Sequence, residues 1–331
     1  MIDLMAAQRN VAFSTEPWEF KAPFEITGYT FSVIQLLHVE ISENGIAGRG
    51  EATGIYYLGE TGASMLAQAS SVRHALEHGV GRDELRRLLP PGGARNAIDC
   101  ALWDLQAKLE DRSIWELTGI EPGEIRSANT IGIGTPAQMA NTAKTLDSNL
   151  IKIKLNAVAS LERVTAVRKA RPDAEIVVDI NQGWTFEQLV TLAPRFGELG
   201  VAMIEQPLPR GGDHMLENYA SPVPLCADES CLNLGEFEQA ARRYQMINIK
   251  LDKAGGLTEA LELARMAQSR NIDLMVGNMG GTSLAMAPGF VVAQLCRFVD
   301  LDGALFLKRD RKNPMTYSGG LVSPPSAELW G

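Results

Sequence analysis

Hydrophobic positions in the first third of the chain follow both strand and helix spacing. Residues Tyr29 to Ser42 are rich in β-branched and aromatic side chains and predict a strand, which the turn signal Glu43-Asn44-Gly45 connects to a second strand over 46–53. The segment 62–77 has a helical pattern. Between Ala94 and Glu110 apolar residues recur at spacings of three and four, which predicts one apolar face of a helix. This part of the chain is therefore predicted to be α+β.

After Gly123 short apolar runs alternate with segments of helical length. Apolar strands that alternate with helices indicate a parallel sheet buried on both faces. Eight such units favour a closed (β/α)8-type (TIM-like) barrel over an open doubly wound sheet, and no glycine-rich phosphate loop follows an early run. The eight runs are Ala128–Gly134, Leu150–Asn156, Glu175–Asn181, Val201–Pro207, Val223–Ser230, Met246–Asp252, Asp273–Met279 and Phe298–Gly303.

These patterns predict an α/β protein in three parts. Residues 1–126 form an N-terminal α+β domain, residues 127–308 form the barrel, and residues 309–331 lack the barrel period and return to the N-terminal domain. A chain of 331 residues has the length for a barrel with an accessory domain.

Composition narrows the range of partners and locations. The formal net charge of −9 gives no general attraction for nucleic acid or anionic lipid. No apolar stretch is long enough to span a bilayer. Met1 to Leu4 lack a basic region followed by an apolar core, so no signal peptide is expected. Four cysteines without metal-site spacing favour a reducing, cytoplasmic location.

Polar side chains stand where successive apolar runs end. Seven of them, 22 to 28 residues apart, follow a nearly constant period and should meet at one mouth of the barrel: Lys154, Asp179, Glu205, Asp228, Lys250, Asn278 and Asp302. Active sites of such barrels lie at the carboxyl ends of the strands. The sequence thus predicts a single site at this mouth.

Three of these side chains are carboxylates on successive strands. Asp179, Glu205 and Asp228 would repel one another unless a cation lies between them, and oxygen ligands that leave room for substrate suit one Mg²⁺ ion. The alternative is that each carboxylate pairs with a nearby lysine or arginine.

Lysines are predicted on two sides of the same mouth. Lys152 and Lys154 share a face of one strand, and Lys250 lies four strands further round. Crowding by cations and partial burial would lower a lysine pKa and make the amine a usable base. Two opposed bases and a metal suit a reaction in which one base removes the proton next to a carboxylate and the metal stabilises the resulting enediolate. Return of a proton to the other face then inverts the configuration at that carbon. One active lysine would instead suit elimination or cycloisomerisation, and a structural ring of ion pairs is the other interpretation.

The motifs at these positions resemble the enolase superfamily, in particular its muconate-lactonizing-enzyme-like subgroup. The resemblance implies Asp179, Glu205 and Asp228 as magnesium ligands, Lys154 and Lys250 as acid/base residues, and a capping domain with a substrate-covering loop near residues 16–30. It also implies that Lys152 contacts the substrate carboxylate. The matching segments are I-K-I-K at 151–154, V-V-D-I-N at 177–181, M-I-E-Q-P at 203–207, A-D-E-S at 227–230 and I-N-I-K-L-D-K-A-G-G at 247–256.

The segment D-L-D-G at 300–303 is similar to a signature of dipeptide epimerases of the L-Ala-D/L-Glu epimerase type. Asp300 and Asp302 would hold the α-ammonium group of a dipeptide, while Thr130 and Asn278 would line the pocket. The covering loop of those enzymes carries an arginine for the glutamate side chain, whereas the loop here has none and places Tyr29 there. An apolar or cationic second residue is therefore an option.

The function predicted from the sequence is that of a Mg²⁺-dependent dipeptide epimerase, which inverts the α-carbon of the C-terminal residue by two-base proton transfer. Within the same superfamily, o-succinylbenzoate synthase or a muconate-type cycloisomerase is the alternative. A catalytically inert barrel that serves as a binding protein is the alternative from another class. The barrel is expected to form a homo-oligomer and to act on a small molecule in the cytoplasm.

Overall fold

The computed structural model describes residues 8–331. Met1 to Leu4, the residues that bear on a signal peptide, lie outside this range. Within residues 8–331 no helix is long and apolar enough to cross a membrane.

The N-terminal part consists of an antiparallel sheet in the order β1-β2-β3 and five helices. The predicted hairpin is β2–β3, and the long predicted helix is α4. The segment 62–77 is not one helix but two, because Val72 leaves helical geometry between α1 and α2. The bounds are β1 (Asn10–Ile26), β2 (Tyr29–Glu43), β3 (Ile46–Thr53), α1 (Gly62–Ser71), α2 (Arg73–Glu77), α3 (Arg82–Leu88), α4 (Gly93–Leu109) and α5 (Ile114–Thr118).

Strand β1 occupies most of the segment in which the sequence predicts a covering loop. It pairs with β2 along most of its length, so that only residues 27–28 form the turn between the two strands. Prolines such as Pro17 and Pro23 are rare inside strands. Strand β1 tolerates them because it lies at the edge of the sheet and has one neighbouring strand, so a missing N–H group on its free side breaks no hydrogen bond of the sheet. The register shifts between Glu19 and Phe24, around the second proline.

The rest of the chain forms an eight-stranded parallel sheet in sequential order from β5 to β12. Ala128 N, just before β5, donates to Val299 O of β12 at 2.7 Å, which links the last strand to the first. The predicted barrel class is confirmed. The strands are β5 (Asn129–Ile131), β6 (Leu150–Lys154), β7 (Glu175–Asp179), β8 (Val201–Glu205), β9 (Leu225–Ala227), β10 (Met246–Ile249), β11 (Asp273–Val276) and β12 (Phe298–Val299).

Helices cover the outer face of this sheet, and a short hairpin pairs with β4 (Ile125–Arg126). Capping boxes that begin at Thr135 and Thr185 start two of the helices. The helices are α6 (Pro136–Thr145), α7 (Ser160–Ala170), α8 (Phe186–Glu198), α9 (Phe237–Arg243), α10 (Leu251–Ala254), α11 (Leu257–Ser269) and α12 (Ser283–Ala293), and the hairpin is β13 (Tyr317–Ser318) with β14 (Leu321–Val322).

An apolar layer fills the inside of the barrel below the mouth. Each strand, or the residue just before it, contributes one side chain. Because side chains alternate along a strand, the residue two positions later points the same way and lies one layer closer to the mouth. Val177 is thus followed by Asp179, and Met203 by Glu205. The apolar layer consists of Ala128, Leu150, Val177, Met203, Cys226, Met246, Met275 and Phe298.

The C-terminal residues pack against helix α4. The indole of Trp330 is fully buried and donates to Cys100 O at 3.0 Å, and Gly331 N donates to Asp104 Oδ1 at 2.7 Å. The periodicity places Asp99 and Asp104 off the apolar face of the helix, yet both are buried: Asp104 by the C-terminal residues and Asp99 against Thr258 of α11, which donates to it from N and Oγ1. The boundaries 126/127 and 308/309 stay predictions.

Candidate active site

Three carboxylates meet at the mouth because the strands that carry them are in register. Asp179 lies opposite Glu205, and Lys154 lies opposite Asp179 on the other neighbouring strand. Asp228 follows the next strand, β9. One oxygen atom of each carboxylate lies within 4.8 Å of the others, and all three side chains are buried. The ladder of parallel strands therefore assembles the cluster that the spacing predicts.

The donor set of this cluster fits a hard divalent cation. Carboxylate oxygens are the ligands that Mg²⁺ prefers, and three of them at this separation can share one ion. Buried polar atoms normally have partners, yet several buried oxygen atoms in and beside the cluster have no hydrogen-bond donor among residues 8–331. They belong to Asn181, Glu205, Glu229 and Asn248.

Lysine side chains are the cations that the structure places beside these carboxylates. Lys154 Nζ donates to Asp179 Oδ2 at 2.6 Å. Lys152 Nζ lies 2.7 Å from Glu205 Oε2, without hydrogen-bond geometry, and donates to Asp300 Oδ2 at 2.8 Å. Across the mouth, Lys250 Nζ donates to Asp228 Oδ2 at 2.7 Å. The ion pairs that the sequence left as an alternative thus exist, and they surround the proposed cation site.

These contacts set the pKa values of the site. Burial acts to raise the pKa of Asp228, but Lys250 and Lys253 outweigh it and hold that pKa below its usual range. Burial and the charge of Asp179 raise the pKa of Glu205. Burial acts to lower the pKa of Lys250, but Asp228 and Glu205 outweigh it and raise the pKa. The expectation that crowding lowers the lysine pKa therefore does not hold for Lys250.

Three further residues support the cluster and were missed as site residues in the sequence. Lys253 Nζ donates to Asp228 Oδ1 at 2.6 Å, whereas Lys250 binds the other oxygen atom of the same carboxylate. Asn248 Nδ2 donates to Glu205 Oε1 at 2.7 Å. Gln206 Oε1 accepts from the backbone N of Asp228 at 3.0 Å. Each lies within two or three residues of a predicted site residue, and this proximity was the available signal.

Backbone strain is concentrated at the same edge of the sheet. Asn181, Gln182 and Gln206 adopt positive φ angles of 46°, 68° and 34°. Non-glycine residues rarely adopt such angles, and they persist where the surroundings enforce them, often at functional sites. Here the strained residues directly follow the strands that carry Asp179 and Glu205, so the chain turns sharply after presenting each carboxylate.

The pair Asp300 and Asp302 lies at the end of β12, beside Thr130. Asp302 Oδ2 accepts from Thr130 N at 2.8 Å, and Thr130 Oγ1 donates to Asp300 Oδ1 at 3.3 Å. Burial and the charge of Asp300 raise the pKa of Asp302 well above its usual value. Asn278 Nδ2 donates to Asp300 O at 2.7 Å. A second carboxylate beside Asp300 makes this end of the pocket suitable for a cation.

A pocket with about 630 Å³ of empty space, part of it open to solvent, lies between the mouth and the N-terminal domain. Lys154, Lys250, Thr130, Asn278, Asp300 and Asp302 line it, together with apolar residues of β1 and β2. Tyr29 does not line it. That side chain is 43% exposed, and its ring lies 4.5 Å from the ring of Tyr56, which does line the pocket. A role for Tyr29 in substrate contact stays a prediction.

Comparison with known families identifies the superfamily. Residues 8–119 match the mandelate racemase / muconate lactonizing enzyme N-terminal domain, and residues 137–328 match the enolase C-terminal domain-like family. The chain belongs to the enolase superfamily, which agrees with the resemblance seen in its motifs.

Its relatives include a protein named as an epimerase. An L-Ala-D/L-Glu epimerase of Escherichia coli (strain K12) is 44% identical over 316 residues, which cover 94% of this chain and 98% of that protein. The chain is accordingly an isomerase of the racemase and epimerase class.

Two solved structures share the complete fold. An enolase family member from Agrobacterium tumefaciens with homology to dipeptide epimerases, with bound sodium and L-Ala-L-Glu, has a TM-score of 0.95 at 38% identity and covers 98% of this chain and 100% of its own. A dipeptide epimerase from Methylococcus capsulatus, complexed with Mg and L-Arg-D-Lys, has a TM-score of 0.91 at 28% identity and covers 97% and 98%.

Proposed function

We propose that the protein is a Mg²⁺-dependent dipeptide epimerase that inverts the α-carbon of the C-terminal residue. The observation that carries this proposal is the position of Lys154, the last residue of β6, and Lys250, which follows β10; the two lysines line one pocket from two sides. Inversion requires a proton to leave one face of the carbon and to arrive on the other, so an acid/base group is needed on each face. The relatives described above support the same activity.

Each lysine would act in both directions. In the neutral form, Lys154 or Lys250 would take the α-proton from the face turned toward it, and the other lysine, as an ammonium, would return a proton to the opposite face. When bound, a divalent cation held by Asp179, Glu205 and Asp228 would offset negative charge on the substrate carboxylate and on these side chains, which favours loss of the proton. Lys152 would contact the substrate carboxylate from the same strand as Lys154.

The far end of the dipeptide would lie at Asp300 and Asp302. Burial and the charge of Asp300 raise the pKa of Asp302. Lys152 already binds Asp300, and the α-ammonium of a dipeptide would supply a further positive charge beside Asp302. Substrates of a muconate-type cycloisomerase or of o-succinylbenzoate synthase carry no ammonium group, and the pair would repel their anions. This observation favours the epimerase over both alternatives, and the intact charged cluster disfavours an inert barrel.

The test is α-proton exchange in D₂O with a panel of L,L-dipeptides in the presence of Mg²⁺. NMR would detect deuterium at the C-terminal α-carbon together with the L,D product. Absence of exchange for every dipeptide would exclude the proposed function. A cytoplasmic location and a homo-oligomeric state stay predictions.

A further inference from the structure

The side of the pocket that faces the barrel mouth from the N-terminal domain is apolar. Six residues form it, and we refer to them as the cap wall: Phe20, Phe24, Ile26, Phe31, Ile34 and Tyr56. Their rings contact one another, with centroids 6.4 Å apart for Phe20 and Phe31 and 5.1 Å apart for Phe31 and Tyr56. Aromatic surfaces of this kind gain most by covering apolar groups.

The cap wall is held against the barrel. Thr27 Oγ1, in the turn between β1 and β2, donates to Leu155 O at 2.9 Å, and Ile133 N donates to Glu25 O at 3.2 Å. On the other side, the ring of Phe24 lies 4.7 Å from that of Phe306, which follows the end of β12. Because the wall lines the same pocket as Lys154 and Lys250, a side chain on a substrate carbon between the two lysines would lie against it.

The cations that line the pocket are already engaged. Among residues 8–331 they are Lys154 and Lys250, which bind Asp179 and Asp228. Two lysines near β1 do not line the pocket: Lys21 Nζ donates to Leu305 O at 2.8 Å, and Lys308 Nζ donates to Glu19 Oε2. A glutamate side chain under the cap wall would lose its hydration without gaining a cation, which is costly.

A cationic side chain on the substrate would also find no free carboxylate under the cap wall. The cap wall itself contains no carboxylate, and the nearby Glu25 is exposed to solvent. The carboxylates at the end of β12, Asp300 and Asp302, are the ones that the α-ammonium would occupy. An aromatic face alone attracts a cation weakly compared with the hydration that the cation gives up.

We propose that the epimerised residue of the substrate carries an apolar side chain, aliphatic or aromatic, rather than a carboxylate or an ammonium group. This inference rests on the proposed epimerase function and specifies its substrate class. Burial of an apolar side chain against the cap wall stabilises the bound substrate by removing apolar area from water, and it leaves no charge unpaired.

The test compares L-Ala-L-Leu and L-Ala-L-Phe with L-Ala-L-Glu and L-Ala-L-Lys as substrates of the Mg²⁺-loaded protein. We expect kcat/KM for the apolar dipeptides to exceed that for L-Ala-L-Glu by about tenfold or more. A higher kcat/KM for L-Ala-L-Glu or L-Ala-L-Lys would overturn the inference and leave the epimerase function standing. If no dipeptide reacts, the epimerase function itself fails, so the two failures are distinct.

A variant pair tests whether the cap wall sets this preference. Phe31→Arg places a cation in the wall and should lower kcat/KM for L-Ala-L-Leu while raising the ratio of L-Ala-L-Glu to L-Ala-L-Leu turnover. Val33→Arg adds the same charge to the same strand, but Val33 is 47% exposed and does not line the pocket, so its preference should match that of the wild type. Equal preferences in Phe31→Arg and the wild type would contradict the role of the wall. If Phe31→Arg does not fold, the wild-type panel still decides the substrate class.

Discussion

Lys253 Nζ lies 2.6 Å from Asp228 Oδ1, while Lys250 Nζ lies 2.7 Å from Oδ2 of the same carboxylate. The two lysines therefore bind both oxygen atoms of one proposed metal ligand. Lys250 lines the pocket, whereas Lys253 is 1% exposed and also donates to the carbonyls of Cys231 and Asn248. Only the first lysine is placed to meet a substrate, and the second fixes the carboxylate.

We expect Lys253→Met to lower the free energy of unfolding by about 3–5 kcal/mol. The substitution keeps the length of the side chain but leaves Asp228 with one lysine fewer and several buried acceptors without their donor, and breaking a buried ion pair on one side has costs of this size. Urea unfolding followed by circular dichroism measures the change. Lys144→Met, at an exposed position of α6, is the matched control and should stay within about 0.5 kcal/mol of the wild type. A stable Lys253→Met protein would contradict the assignment.

The two acid/base lysines can be separated by isotope exchange. Lys154→Met and Lys250→Met should each lose epimerisation by roughly 10²–10⁴-fold, because proton transfer to one face of the carbon then lacks its catalyst. Each variant should still exchange the α-proton of one C-terminal stereoisomer with D₂O, and the two variants should exchange opposite isomers. NMR of the L,L- and L,D-dipeptides in D₂O measures both effects.

Three outcomes of that experiment differ in meaning. Opposite isomers exchanged by the two variants would support one lysine on each face. The same isomer exchanged by both, or full turnover in either, would contradict the two-base mechanism. Lys144→Met serves again as the control, and it should turn over both isomers like the wild type.

The sequence predicted the barrel and the cluster because both follow from the strand period. One strand pairs only with its neighbours, so a βα repeat of nearly constant length brings Asp179, Glu205 and Asp228 to adjacent positions without further information. Contacts between side chains of strands that are not adjacent could not be predicted in this way. That Lys152 bridges Glu205 and Asp300 depends on side-chain conformations and on barrel closure, and no spacing in the sequence reports either.

Strand β1 lies where the family resemblance implies a covering loop, and no local pattern in the sequence predicted a strand there. Its two prolines and its mixed polar and aromatic residues are typical of a loop, and the strand forms because β2 offers a long partner with a free edge. The cap wall depends on this strand, since three of its six residues lie on β1. The sequence shows that the residues of the cap wall are apolar. The position of the wall over the mouth depends on tertiary contacts, such as that of Thr27 with Leu155, which the sequence does not show.

Metal binding should stabilise the folded protein through the three carboxylates. We expect Mg²⁺ at a hundredfold excess over its dissociation constant to add about 2.7 kcal/mol to the free energy of unfolding, because the ion binds the folded site. Glu205→Gln should reduce this gain, since it removes one of the three charges, and the metal chelator EDTA should abolish it in the wild type. Calorimetric titration with Mg²⁺ measures the dissociation constant, and thermal unfolding with and without Mg²⁺ measures the gain in stability.

The control for the metal experiment is Glu198→Gln, which removes a carboxylate from the exposed end of α8. It should keep the Mg²⁺-dependent gain of the wild type. An equal loss in both variants would mean that the ion acts on the overall charge of the protein, and absence of any gain in the wild type would contradict the proposed site.

The last prediction concerns Asp252, which joins the N-terminal domain to the barrel. Its Oδ1 accepts from Thr53 N and from Asn96 Nδ2, both at 3.0 Å, and burial raises its pKa to about 7. An aspartate whose pKa is raised in the folded state binds its proton more tightly there than in the unfolded chain. Its contribution to stability is therefore complete below the unfolded value near 3.8 and is lost as the pH rises toward 7.

Asp252→Asn should remove that loss, because an asparagine can accept both hydrogen bonds through Oδ1 and carries no charge to bury. Between pH 4 and pH 7 the wild type should lose up to about 1.4 kcal/mol per pH unit relative to the variant, the most that one proton allows. Urea unfolding of both proteins over this pH range measures the difference. Asp273→Asn, at an exposed aspartate, should follow the wild-type pH dependence. If the variant gains stability relative to the wild type progressively between pH 4 and pH 7, the folded pKa is confirmed as raised. If Asp252→Asn instead follows the wild-type pH dependence, Asp252 is already ionised at low pH and its burial does not govern the pH dependence of stability.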